Sequence, residues 1–521
     1  MSSLAPQDAT MYWLSGRGRN DLFLLYCFAE SRRSTTELRS FVAVRSRTIT
    51  DLRVRVTADP TGRAYPAWAD CAFSDDQFVE HPLPDADWPH LLDALGYLLD
   101  SSVDAAWRPW RLHVFRNIRN APTPDPAVTV AVLQISHALA DGKHAADLAR
   151  QLFAPGAGTE QIVPTVVADL GTNEAPDLGI NEMSDLGMGV DSSAGAEPSS
   201  AIEEPGPARK TLGARTTADS ADGAMVEQGR VGRSGPIAEG VCRIGRGVRA
   251  AADMCRILWR GWKAFRAQRK LAALTTAGEV PAPGTGYPPG PLNGPEQVGG
   301  HVVRMIVCGA EEFRVPGVSV SVVALTAVSI ALERYLSSRG EPVDRLGAQV
   351  PMALPAAAHI RNNYRSLGVD LCAGEPDPRR RAAAIAADLA ARRTRALHPL
   401  AAAQDAVTAA LPAAMLRRDI DRYPLHTIPD SIAGHTVVSS VDRGPADLVF
   451  GDAPVRFTGG FPALGSVMHL THGVHGLGNT ITVSVHADPA ALPDLDTYVD
   501  LLRTTLQEIA TTLTPLPGPA K

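Results

Sequence analysis

A central segment without any positive charge separates the two ends of this chain. Residues 154–208 contain ten Asp or Glu and no Lys or Arg. Within them an imperfect octapeptide begins at Asp169, Asp177 and Asp185, and none of its copies has an aromatic residue. A segment of this composition buries too little apolar surface to offset the entropy cost of ordering the chain. We therefore predict a disordered acidic linker over 155–240, with folded parts before and after it.

The parts on both sides of the linker combine strand-like and helix-like patterns. Residues 128–135 form an apolar run typical of a buried strand, and 480–486 alternate like a half-buried strand. The second strand precedes a stretch with one apolar helical face, formed by Leu495, Val499, Leu502, Leu506, Ile509 and Leu513. A chain of 521 residues is long enough for two large cores. These patterns predict an α/β fold of two lobes, over 1–154 and 290–521, joined by a crossover over 241–289.

The crossover begins with a strongly basic helical pattern. Residues 243–270 contain nine Lys or Arg and a single acidic residue, Asp253. Apolar residues recur among them at helical spacing, at Met254, Ile257, Leu258, Trp262 and Phe265. Such a helix suits either an anionic membrane interface or packing on the protein with a solvated basic face, and both stay open. The first interpretation predicts peripheral association, through 241–270, with the inner face of the plasma membrane or with lipid bodies.

Charge and cysteine content narrow the class of protein. The formal net charge is −6, from 50 Lys+Arg and 56 Asp+Glu, which argues against a dedicated nucleic-acid-binding protein. The six cysteines form no C-x-x-C pair, and the first residues lack the basic and apolar regions of a secretory signal. We therefore predict a cytoplasmic location. The uncharged run 315–332 contains Pro316 and several hydroxyl residues, so we predict an interior helix there rather than a membrane span.

The strongest local signal for chemistry is the sequence Ser-His-Ala-Leu-Ala-Asp-Gly at 136–142. It follows the predicted strand and precedes a helical pattern, so His137 ends a strand while Asp141 and Gly142 begin a helix. A neutral histidine near pH 7 accepts a proton from a hydroxyl group and contributes about 10²–10⁴-fold to a reaction rate. We therefore predict a general base at His137. The alternative is structural, with Asp141 as a helix cap and His137 as a satisfied histidine at a strand end.

Other catalytic and metal-binding patterns are weaker. The chain has neither a G-x-S-x-G elbow nor a Walker loop, so a serine hydrolase and a nucleotide hydrolase lack support. His469, His472 and His475 are spaced like metal ligands on one helix face, but Gly473 and Gly476 interrupt that helix. We therefore expect no metal site.

Several segments resemble motifs of CoA-dependent acyltransferases. The H-x-x-x-D-G at 137–142 is similar to the active-site motif of that superfamily, within which the bacterial wax ester synthase/diacylglycerol acyltransferase family carries H-H-x-x-x-D-G. The most specific match is Gly-Pro-Leu-Asn-Gly-Pro at 290–295, which resembles the P-L-N-G-P motif of this family. Further similar segments, in the order of the family, are 4–9, 107–110, 331–336, 350–351, 369–371 and 487–494. The resemblance covers the chain except about 155–240.

The chain also departs from the pattern of this family. The first histidine of the pair is Ser136, whereas His137 matches the second, which is the expected base. The N-D pair aligns with Ser-Val at 321–322, and the arginine expected after 350–351 is replaced by Met-Ala-Leu-Pro. The N-V-P-G-P segment reads Ser-Val-Asp-Arg-Gly-Pro at 440–445. We therefore expect a divergent member of the family.

The resemblance implies two chloramphenicol-acetyltransferase-like lobes with the active site between them. It implies an O-acyltransferase that moves a long-chain acyl group from acyl-CoA to diacylglycerol or a long-chain alcohol, making triacylglycerol or wax ester. His137 would be the general base, Asp141 would orient the loop by pairing with an arginine, and Gly142 would allow close approach of substrate. Asn293 is a candidate substrate-binding residue, with a structural turn as its alternative. Acyl-CoA would be a co-substrate, and no bound cofactor is implied.

Two alternatives to this function stay open at the level of sequence. One is another histidine-dependent acyl transfer, such as condensation onto a carrier-protein thioester or acylation of a glycolipid. The other is a lipid-binding or lipid-body protein that keeps the fold with weakened catalysis, which the loss of the N-D pair and of the arginine would permit.

Overall fold

A computed structural model describes two long stretches of the chain and leaves out the segment between them. The described residues are 2–155, 236–294, 300–355, 357 and 359–514. For 236–254 and 256 only the backbone is described. The predicted acidic linker lies outside the described residues from 156 to 235. Described residues up to 155 and from 257 onward belong to one compact unit, and 236–256 belong to a second one.

Helices and strands of the described residues are mixed along the chain. The strands are β1 (Leu22–Ala29), β2 (Val54–Thr57), β3 (Ala67–Asp70), β4 (Phe78–Glu80), β5 (Trp110–Ile118), β6 (Val128–Ile135), β7 (Val302–Gly309), β8 (Gly347–Ala353), β9 (Tyr364–Asp370), β10 (Thr436–Asp442), β11 (Val449–Phe450), β12 (Ala453–Phe461), β13 (Leu470–Leu477) and β14 (Thr480–Ala487). The helices are α1 (Pro6–Ser15), α2 (Thr35–Ser46), α3 (Trp88–Leu99), α4 (Gly142–Phe153), α5 (Pro236–Thr276), α6 (Ala310–Phe313), α7 (Val320–Ser338), α8 (Pro378–Ala396), α9 (Ala402–Thr408), α10 (Ala413–Arg422) and α11 (Leu495–Leu513). The α/β fold class that the sequence predicts is confirmed.

The first sheet has the order β11-β12-β1-β6-β5-β4, and β6 at its centre is the run predicted as a buried strand. β6 is antiparallel to both β1 and β5. Leu133 and Ile135 of β6 pack in the same core as α4, and Val130 and Val132 pack in the same core as α3. Every residue of β6 is therefore buried, which explains its unbroken apolar sequence. We call this sheet and the helices packed on it the first lobe.

Two strands of the first sheet come from the C-terminal half of the chain. β12 pairs antiparallel with β1, with Phe23 opposite Phe461, and β11 pairs with β12. The sequence assigns all of 290–521 to the second lobe, and this boundary needs correction for 449–461. An apolar pattern marks a strand but not its partner, whereas the edge of β1 has backbone donors and acceptors that need pairing.

The second sheet has the order β7-β14-β13-β10-β8-β9 and packs against α7, α8 and α11. β14 is predicted to be half-buried, yet its polar residues Thr482 and Ser484 are fully buried. Their face lies against β12, because a Cβ placed on Gly459 would lie 3.2 Å from Ser484 Oγ and 3.6 Å from Thr482 Cγ2. The polar face of the strand is therefore a contact between the two sheets rather than a solvent face. We call the second sheet and its helices the second lobe.

The uncharged run predicted as an interior helix forms part of α7. Among the described helices, only α7 is long and apolar enough to cross a membrane, with a mean hydropathy of 1.4 over its most apolar window. Of that window, 78% is buried inside the protein, in the core of the second lobe. This burial is what the predicted interior helix requires.

The basic pattern of the crossover lies on α5, which begins at Pro236, five residues before the predicted start, and ends at Thr276. Over the part with described side chains, small residues and one leucine face the protein, namely Ala264, Ala267 and Leu271. The large apolar residues face outward: the exposed fraction is 65% for Leu258, 55% for Trp259, 48% for Trp262 and 56% for Phe265. The helix therefore packs on the protein through its small residues and leaves its aromatic side chains exposed.

Candidate active site

His137 lies directly after β6, at the end of the strand as predicted. The strand continues into a tight turn, in which the Leu139 N–H donates to the Ser136 carbonyl (2.8 Å) and the Ser136 N–H donates to the Pro109 carbonyl (2.8 Å). The His137 side chain is fully buried, and its ring centroid lies 6.0 Å from that of Tyr364 in β9. The first lobe therefore holds the imidazole against a strand of the second lobe.

Asp141 joins the start of α4 to the second lobe. One carboxylate oxygen accepts the His144 N–H (2.9 Å) as an N-cap, and the other accepts the Asn363 N–H (3.1 Å). The Asp141 N–H donates to the carbonyl of Arg361 (3.1 Å). Gly142, the first residue of α4, is buried beside it. Asp141 is thus a helix cap, and it also fixes the segment 361–363 that precedes β9.

Asn362, in the second lobe, contacts the predicted base through its side chain, and the sequence motifs do not identify it. Its Oδ1 lies 2.7 Å from His137 Nδ1. Its Nδ2 donates to the His137 carbonyl (2.8 Å) and to Asp8 Oδ1 (3.0 Å). The only signal in the sequence is a pair of polar residues, Asn362 and Asn363, immediately before a strand.

Asp8 completes this arrangement from α1, within the segment 4–9 that resembles the start of the family. Its carboxylate accepts the backbone N–H groups of Arg361 (3.1 Å) and Asn362 (2.9 Å) in addition to the Asn362 amide. Burial raises the pKa of Asp8 to about 6, and these hydrogen bonds oppose that rise. Asp8 therefore titrates slightly below neutral pH while its acceptor oxygens hold the segment beside His137.

The raised pKa of Asp8 predicts a pH-dependent contribution to stability. Below about pH 3 the carboxyl is largely protonated in both the folded and the unfolded protein. Between pH 4 and 6 the folded protein binds the proton more tightly, so the free energy of unfolding falls as the pH rises. Relative to the isosteric Asp8→Asn variant, wild type is expected to lose about 2 kcal/mol between pH 4 and pH 7.

Urea unfolding of both proteins at several pH values measures this difference, in which the contributions of other titrating groups cancel. A constant difference between the two proteins across this range would show that Asp8 has an ordinary pKa.

Arg361 pairs with Asp51 rather than with Asp141. Its Nη2 donates to Asp51 Oδ1 (2.6 Å), and its guanidinium lies 4.1 Å from the centroid of the Trp68 ring. His144 Nε2 lies 2.8 Å from the other oxygen of Asp51, and this hydrogen bond holds the pKa of Asp51 below its usual range. Arg361 therefore forms its ion pair with Asp51. Asp141 instead accepts hydrogen bonds from the backbone N–H groups of His144 and Asn363.

The other predicted residues of the second lobe lie in structural contacts. Ser321, aligned with the first residue of the N-D pair, is buried in α7 and its hydroxyl lies 3.2 Å from that of Ser440 in β10. Asn293 Oδ1 accepts the Gly290 N–H, and its Nδ2 donates to the Val467 carbonyl (3.2 Å). These contacts correspond to the turn role given as the alternative for Asn293, and its role in substrate binding stays a prediction.

Of the three histidines spaced by three residues, His472 and His475 lie on the strand β13 and His469 lies just before it, so they do not share a helix face. His472 is buried in β13, where Nε2 lies 2.7 Å from the Tyr498 hydroxyl and Nδ1 lies 3.0 Å from the Thr436 hydroxyl. His469 precedes the strand, and its Nε2 lies 3.0 Å from the Gly294 carbonyl. Within the described part of the chain, no group of three or more His, Cys, Asp or Glu is arranged to hold a metal ion.

A small cleft has walls from both lobes. Its lining combines polar and apolar groups and includes Asp21, Phe23, Leu99, His301 and His486. Gln134 of β6, three residues before His137, donates to Asp21 Oδ2 (2.8 Å), and burial raises the pKa of Asp21 to about 7. The end of β6 therefore lies beside both the predicted base and a cleft with walls from both lobes.

Sequence comparison identifies a domain in the second half of the chain. Residues 361–510 match the model of the WS/DGAT C-terminal domain. The match begins at Arg361 and includes Asn362, whose amide contacts His137. No curated protein sequence matches the chain.

Solved structures with the same two-lobed fold include an acyltransferase and condensation domains. The wax ester synthase/diacylglycerol acyltransferase from Marinobacter aquaeolei VT8 has a TM-score of 0.55 and 14% identity, over 98% of this chain and 100% of that one. A mutant starter condensation domain of rhizomide synthetase, in complex with C8-CoA and Leu-SNAC, has a TM-score of 0.51 and 11% identity over 98% and 94%. The first condensation domain of the calcium-dependent antibiotic synthetase, with a substrate analogue, has a TM-score of 0.50 and 12% identity over 99% and 96%.

At these identities the solved structures establish the fold of two sheet-rich lobes, and the domain match adds the family resemblance. The H-x-x-x-D-G segment of the first lobe meets the first residues of the matched domain at His137 and Asn362. The chain therefore carries a WS/DGAT C-terminal domain, and its predicted resemblance to the wax ester synthase/diacylglycerol acyltransferase family is confirmed.

Proposed function

We propose that this protein is an O-acyltransferase that moves a long-chain acyl group from acyl-CoA to the hydroxyl of diacylglycerol or a long-chain alcohol. The observation that carries the proposal is the contact between His137 and Asn362, because it joins the H-x-x-x-D-G segment to the WS/DGAT domain in one site. The domain and the shared fold support an acyltransferase. The choice of acyl donor and acceptor is the finer part of the proposal.

In the proposed reaction the imidazole of His137 accepts the proton of the acceptor hydroxyl as the oxygen attacks the thioester carbonyl. A carbon–oxygen bond forms, the carbon–sulfur bond of the thioester breaks, and the departing thiolate takes the proton from the imidazolium. The products are an ester and free CoA, and the imidazole returns to its neutral form. One base thus serves both proton transfers, which contributes about 10²–10⁴-fold to the rate.

Acyl-CoA as the donor is supported by a structural relative. The condensation domain of rhizomide synthetase was solved with C8-CoA and has the same fold. In the proposed reaction, donor and acceptor approach the base from opposite faces of the protein. The reaction as proposed needs no metal ion and no bound cofactor.

Condensation-like chemistry is the second candidate, favoured by the similarity to two condensation domains. The two candidates differ in the acceptor, which is a hydroxyl in the first and the amine of an aminoacyl thioester in the second. Glycolipid acylation and lipid binding without catalysis are further alternatives that the same experiment separates.

The experiment incubates purified full-length protein with palmitoyl-CoA and one acceptor at a time: dioleoylglycerol, hexadecanol, a trehalose glycolipid or an aminoacyl-N-acetylcysteamine thioester. Release of the CoA thiol is followed by absorbance, and products are identified by mass spectrometry. We expect triacylglycerol or wax ester with matching thiol release. Amide formation would assign condensation chemistry, and absence of acceptor-dependent thiol release with every acceptor would contradict catalysis.

We also propose that the exposed face of α5 binds an anionic lipid surface, which would place a cytoplasmic enzyme next to its apolar acceptors. The face consists of Leu258, Trp259, Trp262 and Phe265. A lysine or arginine side chain lies over each of its three aromatic rings. Lys263 Nζ lies 5.1 Å from the centroid of the Trp259 ring, Arg266 lies 4.8 Å from that of Trp262, and Arg269 lies 5.9 Å from that of Phe265. Aromatic and basic side chains on one face match the apolar and anionic layers of a membrane interface.

Replacing Trp259, Trp262 and Phe265 together with serine is expected to weaken vesicle binding at least about tenfold, because burying one large apolar side chain contributes about 1.5–3 kcal/mol. Co-sedimentation with phosphatidylcholine vesicles, with and without phosphatidylserine, measures this binding. Binding of wild type should require phosphatidylserine and decrease with salt. The matched control is Tyr97→Ser, which removes an aromatic residue that is 84% exposed on α3. Failure of wild type to bind at low salt, or equal binding of the triple variant, would contradict the proposal.

A further inference from the structure

We infer that Asn362 and Asp8 are positioning residues that hold His137 in one tautomer, with the proton on Nδ1 and the basic lone pair on Nε2. The inference rests on the proposed role of His137 and extends it, because it states which nitrogen is the base and what selects it. It follows from three groups: the imidazole, the carboxamide of Asn362 and the carboxylate of Asp8.

The first step is the orientation of the Asn362 amide. Its two ends are similar in shape, so hydrogen-bond partners decide which end is which. One end lies 3.0 Å from Asp8 Oδ1 and 2.8 Å from the carbonyl oxygen of His137. A carboxylate and a carbonyl oxygen are both acceptors, so this end must be the NH₂ group. The opposite end, 2.7 Å from His137 Nδ1, is therefore the oxygen.

The second step is the protonation of the imidazole. An amide oxygen has no hydrogen to donate, so a hydrogen bond of 2.7 Å requires that His137 Nδ1 carries the proton. A neutral imidazole has one ring proton, so with the proton on Nδ1 the basic lone pair is on Nε2. The partner of one nitrogen thus selects the other as the base that accepts the hydroxyl proton.

The third step is the role of Asp8, which does not contact the imidazole. Its Oδ1 accepts the backbone N–H of Asn362 (2.9 Å) and the side-chain NH₂ of the same residue (3.0 Å). The backbone and the side chain of Asn362 therefore donate to one buried oxygen. The Arg361 N–H, 3.1 Å from the same oxygen, adds a third donor. A fixed backbone and a fixed amide together hold the oxygen of Asn362 on the imidazole.

The connection also links distant parts of the chain at the site. Asp8 belongs to α1 in the first lobe, Asn362 precedes β9 in the second lobe, and His137 follows β6 in the first lobe. Correct packing of the two lobes is therefore needed for the base to have the productive tautomer. A chain with an intact H-x-x-x-D-G segment but a displaced segment 361–363 would keep the histidine and lose its orientation.

The direct test is nitrogen NMR of full-length protein labelled with ¹⁵N-histidine, with the His137 signals assigned by their loss in His137→Ala. We expect Nδ1 of His137 to resonate as a protonated ring nitrogen and Nε2 as an unprotonated one. The opposite pattern would overturn the inference, and it would do so whether or not the protein transfers acyl groups.

The kinetic test compares Asn362→Ala with Asn20→Ala, which removes another buried amide that bonds Ser15 and lies outside the site. Asn362→Ala is expected to lower kcat about 10²-fold, within the range that general-base catalysis contributes, with less than about threefold change in KM for acyl-CoA. Its His137 signals should report a mixture of tautomers.

The outcomes separate this inference from the proposed function. Activity in wild type together with unchanged kcat in Asn362→Ala would contradict the inference alone. Absence of acyl transfer in wild type together with the expected tautomer would contradict the proposed function alone. A uniform loss of folded protein in Asn362→Ala leaves the NMR measurement on wild type as the deciding test.

Discussion

Replacing His137 with alanine is expected to lower acyl transfer by roughly 10²–10⁴-fold, because the reaction loses its general base. The side chain is fully buried and is held by hydrogen bonding to Asn362, so the imidazole cannot be replaced by a neighbouring group without rearrangement. The remaining rate would come from holding acyl-CoA and acceptor together. The measurement is acceptor-dependent release of the CoA thiol under saturating substrate.

The matched control is His90→Ala, which removes an exposed histidine near the start of α3. Circular dichroism and thermal unfolding of both variants check that each is folded. The proposed mechanism is wrong if a folded His137→Ala protein releases thiol at the rate of wild type. It would then be necessary to look for the base among other titrating groups, such as those of the interlobe cleft.

Replacing Asp141 with alanine is expected to lower the free energy of unfolding by about 2–4 kcal/mol. Loss of the N-cap of α4 costs about 0.5–2 kcal/mol, and a buried backbone N–H left without an acceptor costs about 1–3 kcal/mol. The N–H groups concerned are those of His144 and Asn363, which both donate to this carboxylate. Activity is expected to fall as well, because Asn363 adjoins the residue that contacts His137.

Asp141→Asn separates the cap of α4 from the contact with the Asn363 N–H. Asparagine is as good an N-cap as aspartate but has a single acceptor oxygen, so this variant should regain the cap of α4, about 0.5–2 kcal/mol, and leave the Asn363 N–H without its acceptor. Chemical denaturation measures the stability, and thiol release measures the activity. A stability of Asp141→Asn no higher than that of Asp141→Ala would show that the cap of α4 does not account for the loss.

The divergence at Ser136 has a local explanation in the turn after β6. The Ser136 side chain is fully buried, and its hydroxyl oxygen accepts the Ala138 N–H at 3.4 Å. The residue before the base therefore helps to shape the turn that presents His137. At 321–322, where the chain also departs from the family pattern, the Ser321 hydroxyl contacts the Ser440 hydroxyl inside the second lobe.

Much of the fold and part of the site can be predicted from local patterns. The run at 128–135 predicts β6, the spacing after it predicts α4, and the order of residues around His137 and Asp141 predicts a strand–turn–helix unit. All three depend on neighbouring residues, which is why periodicity and capping preferences suffice. Which face of α5 is buried is harder to predict. Helical spacing alone does not decide that its alanines face the protein and its tryptophans face outward.

Long-range pairing accounts for what local patterns do not predict. The insertion of β12 beside β1 depends on which sheet has an unpaired edge, and the burial of the polar face of β14 depends on the position of the other sheet. Asn362 and Asp8 are separated from His137 by 225 residues and by 129 residues of sequence respectively. An isolated asparagine and an isolated aspartate carry no spacing signal for such a contact.

The sequence by itself determined the two-lobed α/β class, the candidate base at His137, the cap at Asp141 and the contrast between an acidic segment and a basic helix. These properties follow from residue type and local spacing. Only the tertiary structure decided which amide contacts the imidazole, which arginine pairs with which carboxylate, and which side of α5 is exposed. Each of these requires atoms from distant segments to come within hydrogen-bonding or packing distance, and that distance is set by how the two sheets pack.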